Sequence, residues 1–186
     1  MNSLPQRKSI RLKSFDYSQS GAYFVTICTH NRRNLLASVY SVGANLCVRP
    51  NDAGLMMKEK LLEIENKYAD ARIDYYCVMP NHIHFILFKQ TQPGAHTGAP
   101  LREDETHHKL PHSKSTLPEI VKWFKTQTTN EYIKMVKQGK LLPFDEHVWQ
   151  RNYYEHVIRN ENDLYDIRKY IEENPLKWVF DKYYGE

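Results

Sequence analysis

Residues 72–88 constrain the fold more than any other stretch. Arg72–Met79 and His82–Phe88 are runs rich in apolar, β-branched and aromatic residues, and they flank the dipeptide Pro80-Asn81. Two strand-like runs joined by two residues of turn chemistry predict a tight antiparallel hairpin. Side chains alternate across a strand, so His82 and His84 share one face while Ile83 and Phe85 take the other. Two imidazoles on one face can share a metal. Burying them costs free energy unless their nitrogens are bonded, so the pair calls for a metal or for hydrogen-bonding neighbours.

The rest of the chain supplies partners for that hairpin. Tyr23–Thr29 reads as a further strand, and Leu35–Tyr40 with Leu46–Val48 as a second hairpin. Asn51 or Asp52 caps a helix running to about Tyr68, with Leu61, Ile64 and Tyr68 on its inward stripe. Thr116-Leu117-Pro118-Glu119 has the form of a capping box, followed by Ile120, Phe124, Thr128, Tyr132 and Val136 at helical spacing. Asn160 caps a third helix with Leu164, Ile167 and Ile171 inward, until Pro175 stops it. The order strand, hairpin, helix, strand, strand, helix, helix predicts an α+β fold, an antiparallel sheet with packed helices close to ferredoxin-like. We expect one domain over 1–186, with a basic arm at about 1–20 and a flexible loop at about 90–115.

Composition narrows the setting. With 186 residues and a net charge of +4, the chain is long enough for one core and mildly favours polyanions. Cys28, Cys47 and Cys77 are scattered and odd in number, which suggests neither a disulfide framework nor a thiolate zinc cluster. No apolar stretch approaches the ~18 residues of a membrane span, and the first residues lack a secretory hydrophobic segment. The expected location is cytoplasmic, nucleoid-associated when bound to DNA. His96, His107, His108 and His112 fall in the 90–115 loop and read as a solvated linker rather than as metal ligands.

Tyr170 and Asn174 stand four apart on the third helix, so their side chains lie one above the other. A phenol and an amide oxygen so placed could meet one metal-bound phosphate. The segments MPNHIHF, WQRNYYEHVIRN (149–160) and IRKYIEENPLKW (167–178), with the opening RKSIRLKSFDYSQSGAYFVTICTHNRR (7–33), resemble the single-tyrosine HUH transposases, specifically the REP-associated tyrosine transposase branch. The resemblance implies an HUH-type fold. It also implies metal-dependent cleavage and strand transfer of single-stranded DNA at hairpin-forming, REP-like sequences through a 5′-phosphotyrosine. On that resemblance Tyr170 is the nucleophile and His82, His84 and Asn174 are the metal ligands, Asn174 standing where family members carry a glutamine. Mixed nitrogen and oxygen ligands suit Mg²⁺ or Mn²⁺.

The DNA contacts expected are Arg7, Lys8 and Arg11 in the basic arm, Lys122 and Lys125 on the second helix, and Arg151, Tyr153 and Arg159 among the cations and aromatics of 149–160. The expected partner is single-stranded hairpin DNA, with no membrane, and the protein a monomer or homodimer. Two other readings stand beside this one: a noncatalytic nucleic-acid-binding module with structural histidines, and an HUH nickase of the replication-initiator or relaxase type.

Overall fold

Among the described residues nine helices and strands follow one another: β1 (Gly21–Cys28), β2 (Ala37–Val42), β3 (Asn45–Pro50), α1 (Asp52–Lys67), β4 (Ala71–Met79), β5 (His82–Lys89), α2 (Leu117–Lys137), β6 (Tyr154–Ile158) and α3 (Glu161–Glu173). The computed structural model describes residues 16–42, 45–90 and 115–184. Arg7, Lys8, Arg11 and nearly all of the 90–115 loop, its four histidines included, lie outside the described residues.

Four strands form one sheet in the order β4-β5-β1-β6, every neighbouring pair antiparallel. Setting aside β2 and β3, which pair with each other in a separate two-stranded sheet, and the appended α3, the described residues run βαββαβ. That is the ferredoxin-like arrangement with a hairpin inserted after its first strand. The expected element order lacked β6. It is a five-residue strand on the sheet edge, and its mixed polar sequence YEHVI carries little period-2 signal.

Each helix starts where a side chain accepts an otherwise unpaired backbone N–H. Asn51 Oδ1 takes the amide of Gly54, Thr116 and Glu119 form the reciprocal capping box, and Asn160 takes the amide of Asp163. Alternation along β1 and β5 then sorts their residues between two layers. Tyr23, Val25, Ile27, Ile83, Phe85 and Leu87 pack beneath α1 and α2 against Met57, Leu61, Ile64, Ile120 and Phe124. Ala22, Phe24 and Ile86 face the other way, toward Leu164 and Ile171 of α3 and toward Trp178. His82, His84 and Thr26 belong to this second face, and all three are buried.

After α3 the chain does not leave the body of the protein. Two short 3₁₀ turns, Asn174–Leu176 and Trp178–Phe180, fold it back so that residues 181–183 reach the end of the β4–β5 hairpin. No helix among the described residues is long and apolar enough to cross a membrane.

Candidate metal and nucleophile centre

The register of the sheet builds the site. His84 stands opposite Thr26 of β1 on one side and Cys77 of β4 on the other, and Thr26 in turn stands opposite Tyr154 of β6. His82 and His84 bring their Nε2 atoms to 2.9 Å of each other, at the end of the sheet near the Pro80-Asn81 turn.

Asn81 fixes the state of the first ring. Its Nδ2 donates to the carbonyls of Arg32 (3.2 Å) and Tyr183 (2.9 Å), which can only accept, so its Oδ1 is the atom facing His82 Nδ1 at 2.8 Å. His82 Nδ1 therefore carries the proton, and in the neutral ring Nε2 presents a lone pair. His84 Nδ1 lies 2.7 Å from the Thr26 hydroxyl, which can donate or accept, so this ring can adopt either tautomer. Burial holds both rings neutral. His82 is pushed down to about 4, with the neighbouring Asp181 opposing the shift, and His84 lies well below the ordinary histidine value, burial and His82 both acting downward. Neutral imidazoles are the form that binds metal.

From α3, the Tyr170 hydroxyl arrives 3.2 Å from His84 Nε2 and donates to Asp181 Oδ2, also at 3.2 Å. Asp181 Oδ2 accepts the Asn174 amide at 2.6 Å and lies 4.0 Å from His82 Nε2. Burial, the Asp181 charge and the hydrogen bond to it together raise the Tyr170 pKa well above that of a free phenol. As arranged, then, the phenol keeps its proton and Asp181 is the carboxylate beside it.

The side chains present fit a divalent cation. One ligand atom each from His82, His84 and Asp181 fall within 4.8 Å of one another. Asn174 adds the decisive detail, because its Nδ2 points at the Asp181 carboxylate and its Oδ1 is buried without a hydrogen-bond partner. A buried carbonyl oxygen left unsatisfied costs about 1–3 kcal/mol, and a cation would answer it. The donors are two imidazole nitrogens, a carboxylate and an amide oxygen, a mixed nitrogen and oxygen set.

Asp181, Asn81, Thr26 and Tyr183 escaped the sequence reading. Tyr183 lies against both rings, its centroid 4.8 Å from His82 and 5.9 Å from His84, and its hydroxyl bonds Thr26. Burial is the main cause that pushes its pKa up to about 12. One signal was available: the tail WVFDKYY (178–184) opens on Trp178, whose burial in the α3-side layer draws the chain, and its aspartate, back onto the sheet.

The expected DNA-contact residues separate from this centre. Lys122, Lys125, Arg151 and Tyr153 line a cleft of about 650 Å³ between α2 and residues 144–153, on the α2 side of the sheet. Lys122, Arg151 and Arg159 are exposed. The Lys125 ammonium donates to the carbonyls of Gln150, Arg151 and Asn152, and Tyr153 is buried in the core at 9 % exposure.

Residues 102–174 match the family model of IS200-like transposases, a span that holds Tyr170 and Asn174 while the paired histidines lie upstream. A Haemophilus influenzae protein of unassigned function is 35 % identical over 178 residues, covering 96 % of this chain and 93 % of its own. A second protein of that organism, provisionally named a REP-associated tyrosine transposase, is 22 % identical over 87 % of this chain and 74 % of its own. Among solved structures, a REP-associated tyrosine transposase bound to a REP hairpin superposes with a TM-score of 0.50 at 21 % identity, over 93 % of this chain and 77 % of that one. With two relatives aligned along most of its length, one of them provisionally named a tyrosine transposase, and the family model covering its tyrosine helix, the chain belongs to the IS200-like transposase family.

Proposed function

We propose that the protein cleaves single-stranded DNA beside hairpin-forming sequences and transfers the strand, using Tyr170 as nucleophile. The observation that carries this reading is the convergence of the Tyr170 hydroxyl and the two histidine Nε2 atoms, with 3.2 Å from the hydroxyl to His84. Hairpin DNA as substrate is supported by the family and by the REP hairpin bound to the structurally similar transposase.

His82, His84, Asp181 and Asn174 would hold a divalent cation, Mg²⁺ or Mn²⁺. When bound, that ion supplies Lewis acidity and a positive charge to a nonbridging phosphate oxygen. The remaining work falls to side chains. Tyr170 forms the new bond from its oxygen to phosphorus, its proton passes to Asp181, and the P–O3′ bond breaks to release a 3′ oxygen that takes a proton from water. The product is a 5′-phosphotyrosine with a free 3′-hydroxyl. Because the phosphodiester energy is retained in the protein–DNA link, an incoming 3′-hydroxyl can attack the same phosphorus, giving its proton to water, as the bond to Tyr170 breaks and the tyrosine recovers its proton from Asp181. Asn81 and Thr26 hold the rings in orientation throughout.

The test is a gel-shift assay for covalent adducts under denaturing conditions, using labelled hairpin oligonucleotides with single-stranded flanks. Wild type with Mn²⁺ or Mg²⁺ should give an adduct that chelation abolishes and that Tyr170→Phe does not form. An undiminished adduct in Tyr170→Phe would remove Tyr170 from the role. Hairpin binding without cleavage under any metal would favour the noncatalytic module.

A further inference from the structure

A groove of about 540 Å³ opens beside Tyr170 on the α3 side of the sheet, and the strand-transfer chemistry leaves most of it unexplained. Its walls include Phe24, Tyr154, Phe180, Lys177 and Lys182, together with Tyr170, Asn174 and Asp181 of the centre. Two of its aromatics face solvent: Tyr154 is 43 % exposed and Phe180 86 %. The position of Tyr154 is set by the sheet. It stands opposite Thr26, which stands opposite His84, so the three residues form one row across β6, β1 and β5. Directly paired residues of antiparallel strands project from the same face, which aims Tyr154 at the side that carries the histidines. Two strand spacings separate the Tyr154 and His84 backbones, roughly 10 Å.

Alternation gives the adjacent tyrosine the opposite fate, Tyr153 entering the core beneath α2. Of the two, Tyr154 is the one with ring surface to offer. Lys182 places its ammonium 4.9 Å from the Tyr154 ring centroid, and it comes from the same tail that delivers Asp181. An exposed aromatic with a flexible ammonium beside it, in the same row as His84, is the combination that binds an unpaired nucleotide: the base takes the place of the ammonium on the ring, and the ammonium turns to the phosphate.

We infer that this groove is the subsite for a single unpaired nucleotide of DNA next to the scissile phosphate, its base stacked on Tyr154 and its phosphate met by Lys182. The inference rests on the strand-transfer reading for what lies at Tyr170, but it is a statement about binding and is read without cleavage. Tyr154 is a positioning residue, holding the strand so that the next phosphate lies at the histidines. It also accounts for the exposure of an aromatic that the core does not need.

The experiment uses the full chain and a DNA hairpin with a randomised single-stranded flank containing 5-iodo-deoxyuridine, with no divalent cation added. Fluorescence anisotropy compares wild type with Tyr154→Ala, Tyr154→Phe and Tyr40→Ala, the last an exposed tyrosine of β2 outside the groove. Tyr154→Ala should weaken binding at least roughly fivefold, the lower end of what one stacked base contributes. Tyr154→Phe and Tyr40→Ala should remain within twofold of wild type, and ultraviolet crosslinking should map to Tyr154. Wild-type affinity in Tyr154→Ala, an equal loss in Tyr40→Ala, crosslinks confined to other residues or no binding by wild type would each overturn the inference. An adduct at Tyr170 in the separate assay with Mn²⁺, alongside unchanged metal-free affinity in Tyr154→Ala, would sink the subsite alone. Metal-free binding that depends on Tyr154, with no adduct once Mn²⁺ is added, would sink the strand-transfer reading alone.

Discussion

Asn81→Ala is the substitution that probes most sharply how the candidate centre is held. Asn81 is fully buried, and its side chain makes three hydrogen bonds, to His82 Nδ1 and to the carbonyls of Arg32 and Tyr183. The two to the carbonyls are worth about 1 kcal/mol each net, and stranding the buried His82 N–H costs roughly 1–3 kcal/mol, so we expect a stability loss of about 3–5 kcal/mol. Function should suffer separately. An imidazole ligand whose other nitrogen loses its acceptor can rotate and change tautomer, which typically lowers metal affinity ~10–100-fold. Asn81→Asp separates the two effects, because a carboxylate still accepts from His82 but cannot donate to either carbonyl. Urea denaturation and calorimetric titration with Mn²⁺ should rank metal affinity as wild type, then Asp, then Ala. Mn²⁺ affinity of Asn81→Ala within twofold of wild type would refute the reasoning, whatever happened to stability.

Other expectations follow from single groups. Lys89→Met should cost about 1–3 kcal/mol in urea denaturation, since it removes the ammonium at 3.0 Å from Asp70 and the donor to the Ser115 carbonyl, while Asp70 keeps the Ser115 N–H and hydroxyl; a loss under 1 kcal/mol would show that water replaces the ammonium at little cost. His82 titrates at about 4 when folded against an ordinary 6.5, so the unfolded chain takes up the proton first. Stability is therefore full above pH 6.5 and falls toward pH 4 at on the order of 1.4 kcal/mol per pH unit for each such histidine. Thermal unfolding of His82→Gln should show a shallower acid limb, and an identical limb would contradict this source of acid sensitivity. Gly54→Ala should lower the melting temperature markedly, because a Cβ there would stand 2.0 Å from the Leu36 carbonyl oxygen. A melting temperature matching wild type would mean that the start of α1 shifts freely.

How much could be seen in the chain beforehand depended on the range of the forces involved. The β4–β5 hairpin, the shared face of His82 and His84, and all three helix caps follow from periodicity and local hydrogen bonding, which a linear sequence carries. The ferredoxin-like arrangement followed from element order even with β6 missing. β6 itself was hidden because an edge strand of five residues is defined by its pairing with β1 more than by its own pattern. Tyr170 and Asn174 drew attention through family resemblance, and helical spacing explains why they project together, the amide buried and the phenol half-open. Asp181 had no such spacing. It reaches the histidines only because two 3₁₀ turns reverse the chain after Pro175, the residue at which the helical pattern stops. Asn81 was legible as a turn residue, but its bonds to Arg32 and Tyr183 span 49 and 102 positions and exist only in the folded chain.

If Tyr170 is the nucleophile it becomes linked to DNA, and peptide mapping reads that link directly. Trypsin cuts after Lys169 and Lys177, releasing Tyr170–Lys177 with one tyrosine in it. After incubation with hairpin DNA and Mn²⁺ and nuclease trimming, mass spectrometry should find that peptide carrying a nucleotide through its tyrosine oxygen. A nucleotide found instead on Tyr165, Tyr183 or Tyr184, or on no peptide while the DNA is cut, would contradict the account.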